Sequence, residues 1–279
     1  MVTNFIGGAP VQVGIFPVNS PASKLLGAQP LKEEKSVNLS AGFAVTPLDN
    51  LTLTADVYDI RIKNRILLTG TFQSAGVQTL LANNGFAGIG GVQYFTNGLD
   101  TKTQGIDLTA DQRILFKADR TLTLNAAVNY GKNEITRVDD LPAVLANAGE
   151  TGLLDEATRV AIEKERPDWR GTLTATYAQS AWRGLVRASY YGRFSSEQPA
   201  LTPGFTEKYP SRTLVDAEAG YKLQQVELAI GARNVFDTYP GKMQLEFNNN
   251  DAVFPWAAAS PFGFNGRFLY TRATWTLPR

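Results

Sequence analysis

Residues 214–240 read LVDAEAGYKLQQVELAIGARNVFDTYP. Val215, Ala217, Ala219, Tyr221 and Leu223 alternate with Asp216, Glu218, Gly220 and Lys222. After Gln224 and Gln225 the pattern restarts, with Val226, Leu228, Ile230 and Ala232 against Glu227, Ala229, Gly231 and Arg233. A period of two sends successive side chains to opposite faces of a strand, so the stretch predicts a long β-hairpin with one apolar and one charged face. With Gln224-Gln225 as a two-residue turn, Lys222 stands opposite Glu227 and Asp216 opposite Arg233, pairs worth about 0.2–1 kcal/mol each.

The same alternation recurs along the chain. Residues 1–35 are rich in Gly and Pro and read as a loop leading into structure. Alternating segments follow at 37–46 and 51–58, around the turn residues Pro47-Leu48-Asp49-Asn50. The phase flips beyond Asp59, as at a bulge or the end of a buried band. Further strands are expected from Val92 to about Ala110, then over 122–130, 171–177, 186–194, 214–223, 226–233 and 269–277. Within 139–166 a short helix is expected over 154–164.

Two regularities constrain the architecture. Connections alternate between short (47–50, 116–120, 180–184, 224–225) and long (64–91, 139–166, 196–209, 238–264). A meander with tight turns at one rim and long loops at the other is the layout of an outer-membrane barrel. The apolar face, moreover, carries no Lys, Arg, Asp or Glu through the centre of any strand, whereas a charge facing lipid at the midplane costs ~2–4 kcal/mol. A soluble β-sandwich or barrel also alternates apolar and polar residues, and remains the competing architecture. Strand-end aromatics such as Tyr58, Tyr130, Trp169, Tyr190 and Trp275 suit interfacial girdles as well as ordinary cores.

Composition closes other routes. Neither Cys nor His occurs, which removes Cys/His zinc sites, thiol nucleophiles and imidazole-based triads. No enzyme activity and no cofactor are expected. A net charge of +1 without a basic block argues against a nucleic-acid partner. No apolar run is long enough for a membrane helix, which leaves strands as the means of crossing. The first ten residues do not read as a secretory signal.

Several segments together resemble the TonB-dependent outer-membrane receptor family. They are LKEEKSVNL at 31–39, LTLTADVYDIRIKNRI at 51–66, TQGIDL at 103–108, RPDW at 166–169, GARNVFD at 231–237 and NGRF at 265–268. The likeness covers nearly all of 25–277. It implies an all-β fold, an antiparallel up-and-down transmembrane β-barrel that is partial here, with about nine C-terminal strands of a 22-stranded barrel. Residues 1–36 would be an extracellular loop leading into the barrel, and 37–279 the C-terminal portion of the receptor barrel. The resemblance implies a Gram-negative outer-membrane location and TonB-energised uptake of a scarce ligand, such as a ferric siderophore, a vitamin or an oligosaccharide. Its partners would be the TonB complex, through an N-terminal segment missing here, together with the plug domain, the barrel assembly machinery and outer-membrane lipid. The chain is therefore expected to be a fragment, unstable as a channel alone because open edges in lipid are costly. A passive porin and a soluble β-sandwich binding module are the alternatives.

Two departures from the family pattern stand out. Glu33 occupies a position where the family commonly has Pro. Trp275 and Leu277 stand where the family's assembly signal is expected, but Pro278 and Arg279 follow them.

Candidate site residues follow from this frame. Asp56, Asp107, Asp111, Arg170, Arg187, Glu218, Glu227, Arg233 and Arg272 would line the lumen, where pairing across strands competes with contact to plug or substrate. Ligand contact is expected from the long outer loops, and Phe247, Phe254, Trp256 and Phe262 are the candidates in 238–264. Packing of that loop onto the barrel mouth is the competing role. The opening hairpin would put its turn toward the periplasm and residues 234–240 outside.

Overall fold

The computed structural model describes residues 2–6, 9–117, 119–197, 206–244 and 255–277. In chain order, β1 (Val2–Ile6), β2 (Ala9–Phe16) and the short helix α1 (Pro21–Leu25) precede β3 (Lys35–Leu48) and β4 (Leu51–Leu68). Next come α2 (Ala75–Asn83), β5 (Gly91–Lys117), β6 (Arg120–Val138), α3 (Ala143–Asn147) and α4 (Glu156–Glu163). The chain continues through β7 (Trp169–Gln179), β8 (Trp182–Tyr191), β9 (Phe194–Glu197), β10 (Thr206–Tyr209), β11 (Arg212–Leu223), β12 (Val226–Arg233) and β13 (Phe268–Trp275).

The nine strands β3 to β8 and β11 to β13 are those expected from alternation, joined in a single sheet with sequence neighbours adjacent. A sandwich would need two packed sheets; this is one meander, β3-β4-β5-β6-β7-β8-β11-β12-β13. Left-handed residues mark the tight turns: φ is 59° at Asn50, 51° at Ser180 and 51° at Gln224. The phase flip does not interrupt β4, which runs unbroken past Asp59; its left-handed residue is Asn64, at φ 55°.

The chain divides into two compact units. One comprises Met1–Asn38, Ile60–Thr103 and Asn133–Glu163. Residues 1–36, read from sequence as a loop, are largely ordered here: β1 pairs with β2, and β2 runs parallel to the start of β5, with Val13 opposite Gly91. Ala22 and Leu26 join Phe72, Val77, Leu81, Val92, Tyr94, Leu145 and Leu153 in a buried core. Gly and Pro punctuation signalled a loop, yet it is long-range pairing, not local propensity, that orders this segment. Helix α4 lies where the sequence predicted it, whereas α2 and α3 carry no amphipathic pattern long enough to be legible.

The other unit comprises Leu39–Asp59, Gln104–Lys132 and Lys164–Arg279. Its strands align same-face residues into continuous rows. Leu124, Ala175, Val186, Ala217, Ala232 and Leu269 face one another across six strands. One residue away, Asn125, Thr174, Arg187 and Asp216 do the same on the opposite face. Leu173, Val186, Leu228, Ile230, Leu269 and Trp275 are all exposed on the apolar side. A large exposed apolar surface of this kind marks an interface with lipid or protein, not a face in water.

The polar face is internally bonded. Thr54 and Thr109 share a hydrogen bond of 2.7 Å, and Gln104 Nε2 donates to Asp59, so the polar sides of the paired strands β4 and β5 are bonded to each other. Tyr58 lies on this polar face, where its alternation with Ala55 and Val57 puts it: it occupies the space a Cβ on Gly105 would need and sits close over Gly131. Tyr130 and Trp169 do meet on the apolar face, ring centroids 4.7 Å apart and planes tilted by 42°.

Candidate functional site

The opening hairpin forms with the expected register, Lys222 opposite Glu227. Its ion pairs differ from the expectation. Glu227 Oε1 accepts from Arg183 at 3.1 Å and Arg272 at 3.2 Å, and Glu218 Oε1 accepts from the same two guanidinium groups at 2.5 and 2.9 Å. Tyr270 donates its hydroxyl to Glu218 Oε2 at 2.8 Å. Two arginines and two glutamates thus form a neutral network across β8, β11, β12 and β13. Arg233 does not take Asp216 as its partner either: its guanidinium lies 5.9 Å from the Tyr270 ring centroid, while Asp216 accepts the Asn234 N–H at 2.8 Å. Diagonal neighbours on a pleated face are within reach of long side chains, which is why directly opposed pairs were the wrong guide.

Asp107, Asp111, Arg170 and Arg187 are held by amides and a hydroxyl. Asn129 donates to Asp107 at 2.6 Å and accepts from Arg170, Asn125 donates to Asp111, and Arg187 donates to Thr174.

The GARNVFD and NGRF segments converge at the far end of the hairpin from Gln224-Gln225. Asn234, at φ 50°, closes a reciprocal pair with Thr238: its Nδ2 donates to the Thr238 carbonyl and its Oδ1 accepts the Thr238 N–H. Asp237 accepts the Arg267 N–H at 2.7 Å, tying 234–238 to the start of β13. Gly266, at φ 63°, packs against Tyr239 and Asp237 with no space for a side chain. Asn234 and Asp237 thus build the turn through side-chain hydrogen bonds to backbone groups.

Beside this turn lies a cavity of about 580 Å³, lined in part by Tyr191, Asp216, Arg233, Thr238, Phe262 and Asn265. Phe262 packs against Tyr191 with centroids 5.2 Å apart. The cavity therefore offers aromatic surface on one side and a guanidinium, a carboxylate and an amide on the other. Of the four aromatic loop candidates, Phe262 lines it. Trp256 does not: it stacks on Tyr239 at 4.9 Å, lies under Lys242 Nζ at 5.6 Å and fastens the loop base. Phe247 and Phe254 fall outside the described residues. Sequence reading missed Tyr191 as a cavity residue, because nothing in its own strand marks it; its partner comes from a segment some seventy residues on.

Trp275 is exposed on the apolar face opposite Val226, with its indole N–H toward Gln225 Oε1 at 3.4 Å, and Leu277 is exposed beyond the strand. Pro278 and Arg279 lie outside the described residues.

A family model described as TonB dependent receptor-like, beta-barrel matches residues 4–235. The chain belongs to this family. Solved structures agree in fold. The copper transporter OprC is 17% identical with a TM-score of 0.53, covering 88% of this chain and 32% of its own. The ferric-catecholate import receptor Fiu from E. coli K12 is 17% identical with a TM-score of 0.54, covering 88% and 28%. The ferric enterobactin receptor PfeA of Pseudomonas aeruginosa, as a G324V mutant, is 16% identical with a TM-score of 0.54, covering 88% and 31%. This receptor-barrel chain thus spans about a third or less of each of those proteins. No curated protein matches it.

Proposed function

We propose that this chain forms the C-terminal wall of a Gram-negative outer-membrane receptor, in which TonB energises uptake of a scarce ligand. The observation that carries the reading is the segregation of faces: an unbroken apolar row across six strands backs onto a bonded polar one. That arrangement suits lipid outside and a hydrated, plug-filled lumen inside. Family membership favours a receptor over the passive porin. The partners on this reading are TonB, reached through a segment outside this chain, the plug, the assembly machinery that reads the Trp275 and Leu277 end, and membrane lipid. The tight turns face the periplasm, while residues 1–36 and the 234–240 turn lie outside.

The cavity beside Phe262 is the proposed ligand contact. Aromatic surface next to a guanidinium suits a ferric chelate with flat aromatic arms, in keeping with the ferric-catecholate receptor Fiu and the ferric enterobactin receptor PfeA, over a vitamin or an oligosaccharide. The test is intrinsic-fluorescence titration of the receptor-embedded chain with a ferric catecholate, a cobalamin and an oligosaccharide. Phe262→Ala and Arg233→Ala are expected to weaken ferric-catecholate binding about tenfold each. Unchanged affinity in both variants overturns the assignment of this cavity.

A further inference from the structure

We propose that the three connections building the first compact unit, residues 12–28, 67–99 and 138–160, act as one cooperative body and not as three independently moving loops. The inference does not rest on the ligand assignment. Loops that move separately would each bury their own apolar residues, and these do not. Leu26 from the first connection, Val77, Leu81 and Val92 from the second and Leu145 from the third are all 0% exposed and belong to a single cluster. Leu145 sits on α3, only five residues long, and a helix that short holds only through tertiary packing.

Polar contacts bind the same three segments. Glu150 Oε1 accepts the Gln73 and Ser74 N–H groups, both at 2.8 Å, and Ser74 Oγ donates to the Ala148 carbonyl at 2.7 Å. Gly70 N–H donates to the Leu153 carbonyl at 3.1 Å. The first connection is tied in by Tyr94, whose hydroxyl donates to the Leu26 carbonyl at 3.3 Å, and by the Gly90 N–H to the Gln12 carbonyl at 2.9 Å. Gly76 and Gly27 let backbone approach closely, against Ala148 and Pro142 respectively. Opening one connection exposes core residues of the other two, so any rearrangement here is all-or-none.

Hydrogen exchange on the full chain in detergent or liposomes, read by mass spectrometry, tests this. Leu145→Ala is expected to speed exchange about tenfold in all three connections, including the Ala28, Phe72 and Val92 amides, while the 217–232 hairpin keeps its protection. Glu150→Gln, a milder change, should act a few-fold in the same three places. Acceleration confined to 138–160 in either variant overturns the proposal, as do distinct exchange rates for the three connections in the unmutated protein. Should Leu145→Ala also disturb the sheet, Glu150→Gln and the unmutated protein decide.

Discussion

Tyr209 shows how much one side chain in the connection between β8 and β11 depends on its surroundings. It stacks on Phe194, centroids 4.7 Å apart, and donates to Glu207 Oε2 at 2.8 Å. Burial first, and the hydrogen bond to Glu207 second, push its phenol above the ordinary range. A raised value means the folded form holds the proton more tightly than the unfolded chain. Its contribution to stability is therefore full below the ordinary value of about 10 and is lost as pH rises toward the folded one. Tyr209→Phe should cost roughly 1–2 kcal/mol near neutrality, since Glu207 loses a donor, and should flatten this alkaline loss. Denaturant unfolding across pH 8 to 12, followed by fluorescence, reads both effects. Nothing in the sequence around Tyr209 marked it, because β9 and β10, whose pairing buries it, are four residues each and too short for a period of two to stand out.

At the level of elements, the apolar and polar faces make opposite predictions for the same kind of substitution. On the proposed membrane reading, Ile230→Arg puts a charge on the apolar row near mid-strand and should cost ~2–4 kcal/mol of membrane folding. Thr172→Glu, on the polar face opposite Ser189, should be close to neutral. Heat-modifiable migration after refolding into liposomes compares them, and equal behaviour would contradict the assignment of faces. The ion network of β8, β11, β12 and β13 should behave as a unit. Glu218 is largely covered, at 11% side-chain exposure, whereas Arg183 and Arg272 are more than a third exposed or close to it, so solvent screening reduces their share. Arg272→Met alone should destabilise only slightly, and a cycle with Arg183→Met should be non-additive, since both arginines serve the same two carboxylates. The hairpin register was legible because a slip of one residue would turn every side chain over. The pairing of charges was not, because long side chains choose among diagonal neighbours.

At the level of the whole molecule, strand direction limits what the sheet can close. Nine strands alternate in direction through successive antiparallel hairpins, so β3 and β13 run the same way. Among the described residues each pairs with one neighbouring strand only. Joining these two edges directly, or to a second copy turned about the membrane normal, would pair parallel strands; an all-antiparallel wall needs an odd number of further strands. The chain alone in a planar bilayer should therefore show no stable unitary conductance, and a uniform, persistent step in single-channel recordings would falsify this. Alternation by itself determined the nine strands, their faces and the position of the tight turns, because the period of two is a property of the local backbone. Only the tertiary structure decided that Ala22, Leu26 and Ala28 of the opening segment pack into a buried core, that Tyr58 covers glycines on the polar face, and that Phe262 lines a cavity while Trp256 fastens a loop. Each of those outcomes depends on partners distant in sequence, where periodicity carries no signal and contact geometry decides.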